Sequence, residues 1–147
     1  MITPNFHSSE IICPCGCGDI NIRLATMEKA QWIRDILGVP LNVPEGGGKR
    51  CLKYQETIGA YPSAHTSGEA IDLFQKPYSI KNMIRIARLM REAGFLRVGL
   101  YPIYYVKSAH GDLWQPAPSA SWVRTAKGYI YFKTLDKAIK YVERNYR

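Results

Sequence analysis

The sequence lacks the features that mark membrane-spanning, secreted and repetitive proteins. It has no apolar run near the ~20 residues that a membrane-spanning helix needs. Its N-terminus lacks the basic segment and apolar run that begin a secretory signal. It also contains no internal repeat, no low-complexity tract and no block of five or more like charges. These absences exclude a membrane span and a repeat array, and they predict synthesis in the cytoplasm without a signal peptide.

The composition is that of an ordinary globular protein. The chain has 147 residues, of which 46% are apolar and 22% charged, and we expect one monomeric domain over residues 1–147. The net charge of +8 favours polyanions such as nucleic acid, anionic lipid or a cell wall. The basic residues are spread along the chain, however, so charge alone does not distinguish these partners from a solvated basic surface.

Apolar periodicity predicts three helices, over residues 23–37, 80–92 and 135–145. Their expected N-caps are Asn21, Ser79 and Thr134, and Gly38 and Gly94 are expected to end the first two. Strands are predicted at 41–43, 69–74, 96–100, 104–109 and 129–132. The mixture and the short connections predict an α+β fold with a small antiparallel sheet and flanking helices. Between these elements, the glycines at 46–48 indicate a turn where the backbone approaches another segment closely.

Three histidines are present, and two of them fit a metal site together with one aspartate. His65 and Asp72 flank Gly68, where a turn would bring both side chains to one point. A catalytic zinc needs three protein ligands and an open fourth position, and His110 would complete the set of His65, Asp72 and His110. The alternatives are an ordinary surface pair and a common turn at residues 110–112. His7 lies in the N-terminal loop and is not included.

Four cysteines occur, at positions 13, 15, 17 and 51. Structural zinc sites usually place their cysteines two to four residues apart, whereas Cys13, Cys15 and Cys17 are separated by single residues. A second zinc site, a disulfide to Cys51 and free thiols all stay open on this pattern.

Three segments in a fixed order resemble a known family. Residues 63–72 carry Ser-x-His-x-x-Gly-x-Ala-x-Asp, residues 99–102 carry Gly-x-Tyr-Pro, and residues 110–112 carry His-x-Asp. With the cysteine-rich segment at 13–18, they resemble the zinc D-Ala-D-Ala carboxypeptidase family, in its small peptidoglycan-peptidase branch from bacteria and phages. The resemblance covers roughly residues 6–122 of the chain. It implies a hedgehog/DD-peptidase-like fold, a Zn²⁺ cofactor and hydrolysis of amide bonds in peptidoglycan peptides.

The resemblance also implies roles for residues around the metal. Some branches place a Glu general base three residues before the last ligand, where this chain has Lys107. Asp112 is therefore the candidate general base. Arg50 falls where the family has an arginine and would bind a substrate carboxylate or the oxyanion. Ser63 and Tyr101 are further candidates for contacts with the substrate.

The resemblance leaves the cleaved bond and the biological setting open. Family members include carboxypeptidases and endopeptidases, and a protein without a signal would reach the wall by phage lysis or within a virion. A catalytically silent binding module of the same fold is the main alternative, since the usual Glu is absent. A nucleic-acid partner, suggested by charge and by aromatics such as Tyr105 and Trp114, is not expected, because aromatics of this kind usually form cores and pocket walls.

Overall fold

A computed structural model describes residues 2–114 and 121–147. It contains five helices: α1 Ser8–Ile11, α2 Leu24–Leu37, α3 Leu52–Thr57, α4 Ile80–Ala93 and α5 Leu135–Asn145. Its five strands are β1 Ala70–Leu73, β2 Arg97–Tyr101, β3 Ser108–Asp112, β4 Ser121–Thr125 and β5 Gly128–Phe132. In the described part of the chain, no helix combines the length and apolarity that crossing a membrane would require.

The five strands form one sheet in the order β1-β3-β2-β4-β5. Every neighbouring pair is antiparallel except β2 and β4, which run parallel. The predicted α+β class with flanking helices is confirmed, but the sheet is mixed rather than wholly antiparallel. The antiparallel strand β3 occupies one edge of β2, and β4 pairs with the other edge in the same direction as β2.

Helices α4 and α5 pack on one face of the sheet, and α2 packs against α4. The amphipathic pattern of α4 explains this position, because its apolar face, including Met83, Ile86 and Met90, is fully buried. The Ser79 hydroxyl accepts a hydrogen bond from the Asn82 N–H at 3.1 Å and caps the helix. Gly94, at φ 98°, ends α4 as predicted. This packing leaves the opposite face of β1 and β3 available for polar side chains.

Two of the predicted boundaries are wrong, and one predicted strand is only an isolated bridge. Helix α2 begins after Arg23 rather than at an Asn21 cap, because the Arg23 N–H is bonded to the Gly68 carbonyl at 2.8 Å. The strand predicted at 104–109 lies instead at Ser108–Asp112, and residues 102–106 form turns and bends. The strand predicted at 41–43 is a single bridge between Asn42 and Phe74. Helices α1 and α3 and strand β4 were not predicted.

Candidate metal centre

Strands β1 and β3 place Asp72 and His110 side by side. The two residues are direct partners in the antiparallel register, although they are 38 positions apart in sequence. Along β1, Asp72 alternates with Ile71 and Leu73, which are fully buried in the core. The carboxylate of Asp72 therefore faces away from the helices.

A loop places His65 against the same carboxylate. The His65 ring lies with Nε2 3.5 Å from Asp72 Oδ1. Gly68 turns the chain between them at φ 75°, and a Cβ there would lie 2.4 Å from the Asn21 carbonyl oxygen. The turn predicted at Gly68 is present, and it requires glycine because a side chain there would collide with the Asn21 backbone.

The glycine turn at 46–48 has a direct part in orienting His65. The Gly48 carbonyl lies 2.8 Å from His65 Nδ1. Because a carbonyl oxygen only accepts hydrogen bonds, Nδ1 must carry a proton, and Nε2 is the nitrogen that faces Asp72 and is placed to bind a metal. A Cβ on Gly48 would lie 2.6 Å from Ile11 Cα, so the close approach predicted for this turn is present. This backbone contact fixes the ring tautomer that a metal ligand needs.

His110 is held between two carboxylates. Its Nδ1 lies 2.8 Å from Asp72 Oδ1, and its Nε2 lies 2.8 Å from Asp112 Oδ2. His65 and His110 are only 4% and 6% exposed. Each ring thus directs one nitrogen to Asp72. The other nitrogen contacts the Gly48 carbonyl in His65 and the Asp112 carboxylate in His110.

The charges in this cluster influence one another strongly. Burial would lower the pKa of His110, but its hydrogen bonds to Asp112 and Asp72 and their charges raise it to about 9. Burial lowers the pKa of His65, opposed by the charge of Asp72. Burial would raise the pKa of Asp72, yet the His65 charge and the hydrogen bonds from both histidines hold it well below its usual range. Asp72 is therefore ionised at neutral pH.

This donor set fits a zinc ion. One ligand atom from each of His65, Asp72 and His110 lies within 4.8 Å of the others. Two imidazoles and a carboxylate form a three-ligand set of the kind found at catalytic zinc sites. The outer hydrogen bonds to Gly48 and Asp112 are of the kind that orient metal-bound histidines. The structure thus brings together the three residues that the sequence suggested.

Asp112 occupies the far side of His110 and has no exposed surface. Arg97 binds it with two nitrogens, Nε at 3.0 Å from each oxygen and Nη2 at 3.0 Å from Oδ2. The Trp114 N–H donates to Oδ1 at 3.0 Å. Burial would raise the pKa of Asp112, but the His110 hydrogen bond and charge, the Trp114 N–H and Arg97 keep it low. These contacts favour an orienting role over the proton-transfer role expected from the sequence.

The remaining predicted residues line one cavity above the metal ligands. Its volume is about 480 Å³, and Arg50, Ser63 and Tyr101 all contribute to its wall. Arg50 Nη2 lies 3.6 Å from Asp72 Oδ2, while its Nε donates to the Gly46 carbonyl. The Ser63 hydroxyl accepts from Gln55 Nε2 at 3.2 Å and from the His65 N–H at 3.3 Å, so it supports the ligand loop.

Tyr101 forms part of an aromatic wall. Its hydroxyl accepts from Trp122 Nε1 at 3.1 Å. Burial, with the charge of Asp72, raises the pKa of the Tyr101 phenol, which stays protonated. Other aromatic residues line the same cavity: Tyr61, Tyr104, Trp122, Tyr129 and Tyr131. The aromatic residues near position 104, which suggested a strand, thus contribute to a cavity wall.

Sequence reasoning missed Arg97 and Trp122, which support the centre. The guanidinium of Arg97 lies 5.2 Å from the Trp114 ring centroid and 5.0 Å from that of Trp122. Trp122 can lie against β2 because Gly99 has no side chain; a Cβ there would approach the indole to 2.4 Å. An alternating Arg97-x-Gly99 pattern on a predicted strand was the available signal for a close aromatic contact.

The chain was also compared with known proteins. Residues 4–110, which include all three candidate metal ligands, match the model of a protein family described as Peptidase M15. No curated protein matches the chain.

Proposed function

Since this chain belongs to the peptidase M15 family of zinc peptidases, we propose that it hydrolyses amide bonds in the stem peptides or cross-links of peptidoglycan. One observation carries the proposal. The atoms His65 Nε2, Asp72 Oδ1 and His110 Nδ1 converge at one place in the wall of an open cavity. Their arrangement leaves room on the cavity side for a water molecule and a scissile carbonyl.

A zinc ion bound by these residues would supply a water of lowered pKa, near 7, and polarise the scissile carbonyl. The protein's own contribution is orientation. Gly48 and Asp112 hold the two imidazoles so that one nitrogen of each faces Asp72. Asp112 is then a positioning residue that acts through His110, because its oxygens already accept from His110, Arg97 and Trp114.

Arg50 is the proposed anchor for the substrate. Its guanidinium lies beside Asp72 at the cavity wall. Stem peptides carry free carboxylates, and a guanidinium can bind a carboxylate through two parallel hydrogen bonds. Arg97 lines the same cavity but is already engaged by Asp112. Arg50 is therefore the better placed of these two arginines to bind a peptide carboxylate or the developing oxyanion.

The cavity's carboxylates favour a second function, because a peptidase of this kind needs a free general base. Among the described residues that line the cavity, the only carboxylates are Asp72 and Asp112, and both are already hydrogen-bonded to His110. Lys107, where some branches have Glu, donates through Nζ to the Tyr104 carbonyl at 3.1 Å. A zinc-containing module that binds wall peptides without cleaving them is the alternative.

The test is digestion of purified peptidoglycan by the zinc-loaded protein, with fragments identified by mass spectrometry. We expect loss of terminal D-Ala or new stem-peptide ends, both abolished by a chelator and by His65→Ala. The matched control is His7→Ala, since His7 is exposed and lies outside the metal centre. Intact wall from several species, incubated with protein shown to hold zinc, would contradict the peptidase and favour the binding module.

A further inference from the structure

A second group of metal-binding side chains lies outside the peptidase centre. Cys13, Cys15 and Cys17 on the N-terminal loop meet Cys51, the residue before α3, and we call these four residues the cysteine cluster. Their sulfur atoms all lie within 4.8 Å of one another. Cys15 Sγ is 3.5 Å from the sulfurs of both Cys13 and Cys51. We propose that the cysteine cluster is a structural zinc site with four thiolate ligands.

The spacing of the sulfurs matches a metal better than a disulfide. Zinc–sulfur bonds of about 2.3 Å in a tetrahedron place neighbouring sulfurs about 3.8 Å apart. A disulfide requires about 2.05 Å. The observed sulfur separations, from 3.5 Å up to the limit of 4.8 Å, include the tetrahedral value, and all four cysteines are free. Four thiolates also form the complete ligand set of a closed structural site.

The local backbone allows the unusual sequence spacing. Gly16 and Gly18 adopt φ values of 79° and 80°, in the left-handed region that favours glycine. These residues follow Cys15 and Cys17, and the loop turns and bends over residues 14–17. Such turns let cysteines separated by a single residue direct their sulfurs to one point. The short spacing that counted against a metal in the sequence is therefore accommodated by the two glycines.

Backbone amides support the sulfurs as acceptors. The Cys51 N–H donates to Cys13 Sγ at 3.3 Å, and the Tyr54 N–H donates to Cys51 Sγ at 3.4 Å. Hydrogen bonds of this kind stabilise a thiolate and orient it toward a metal. Binding of one zinc ion converts four thiols to thiolates, and the protons pass to solvent.

The position of the cluster gives the proposed zinc a structural purpose. Cys51 directly follows Arg50, and the Lys49 N–H donates to the Ile11 carbonyl at 2.8 Å. The same loop contains Gly48, whose carbonyl orients His65. A zinc bound to the cysteine cluster would tie the N-terminal loop to this segment and hold Gly48 and Arg50 in place. Its ligands are separate from those of the peptidase centre, so the two proposals can fail independently.

The experiment measures zinc per chain in the full-length protein purified under reducing conditions with added zinc. The wild type should hold about two ions, and His65→Ala about one. For the His65→Ala protein, X-ray absorption at the zinc edge should show four sulfur neighbours at about 2.3 Å. Cys17→Ser, which alters an exposed ligand, should lose the sulfur-bound ion, and His7→Ala should keep both.

Two results would overturn the proposal. The first is a His65→Ala protein that holds no zinc while a thiol reagent titrates four reactive cysteines. The second is a disulfide within the cluster of the reduced, zinc-supplied protein, shown by mass spectrometry of peptides. If His65→Ala fails to fold, the wild-type absorption spectrum decides: a mixture of sulfur and nitrogen neighbours supports the site, and an absence of sulfur refutes it.

Discussion

Replacing Asp112 with Asn tests whether this residue positions His110 or accepts a proton. The amide has the shape of the carboxylate but turns one acceptor oxygen into a donor. Both oxygens of Asp112 face donors, from His110 and Arg97 on one side and from Trp114 and Arg97 on the other. In either amide orientation, an NH₂ group would therefore point at a buried N–H.

The size of the effect follows from that mismatch. A buried donor without a partner costs about 1–3 kcal/mol. Loss of an outer partner of a metal-bound histidine typically weakens metal affinity or activity by about 10- to 100-fold. We expect Asp112→Asn to raise the zinc Kd by that factor and to recover part of its turnover when free zinc is raised. Zinc affinity is measured by competition with a chelator, and kcat by release of wall peptides at several zinc concentrations.

A general base would behave differently, because its removal leaves the metal in place. Unchanged zinc affinity with kcat lowered by about 10²- to 10⁴-fold at every zinc concentration would refute the positioning role. The matched control is Asp136→Asn, which changes a carboxylate paired with Arg88 at 3.2 Å on the surface. Exposed pairs of this kind contribute about 0–1 kcal/mol, so the control should keep both zinc affinity and turnover.

Three further predictions concern other parts of the centre. Because His110 binds a proton up to about pH 9 in the metal-free protein, zinc must displace that proton, and its affinity should fall about tenfold per pH unit below 9; calorimetry detecting no proton release at pH 7 would contradict this. Arg50→Ala should raise KM about 10- to 100-fold for peptides with free carboxylates. An equal increase in KM for peptides whose carboxylates are amidated would argue against carboxylate binding. Gly111→Ala places a Cβ 2.8 Å from the Phe95 ring and should cost about 1–3 kcal/mol in urea unfolding; an unchanged midpoint would show that the ring can move away.

The parts of the fold that were predictable are those whose signals are local. Helices α2, α4 and α5 occur where apolar periodicity placed them, and the Thr134 hydroxyl caps α5 as expected. Their apolar stripes match the helical repeat and their ends carry glycine or hydroxyl residues, so little depends on distant contacts. The turn at Gly68, which brings His65 and Asp72 together, was also predicted from the sequence.

The errors occur where distant packing decides the outcome. The strand predicted at 104–109 was expected to end before His110, yet residues 110–112 lie within β3. Gly111 is there because Phe95 and Met90 pack against it, a contact that single-sequence patterns do not show. Asp112 is the candidate general base because Lys107 stands where some branches have Glu, and the contacts of its carboxylate could not be predicted. The ion pair with Arg97 disfavours a general-base role for Asp112. It forms because Arg97 on β2 is paired with Asp112 on β3, and sequence spacing alone does not predict that pairing.

The direct pairing of Asp72 with His110 has a consequence for folding. A one-residue shift between β1 and β3 would turn one of the two side chains to the opposite face of the sheet. Only the native register presents both ligand atoms together, so a metal ion would bind that register and stabilise it over shifted ones by mass action. The ligands are 38 positions apart, which makes this a non-local pairing of the slow-forming kind. The zinc supply during refolding would then influence how much of the chain reaches its native strand alignment.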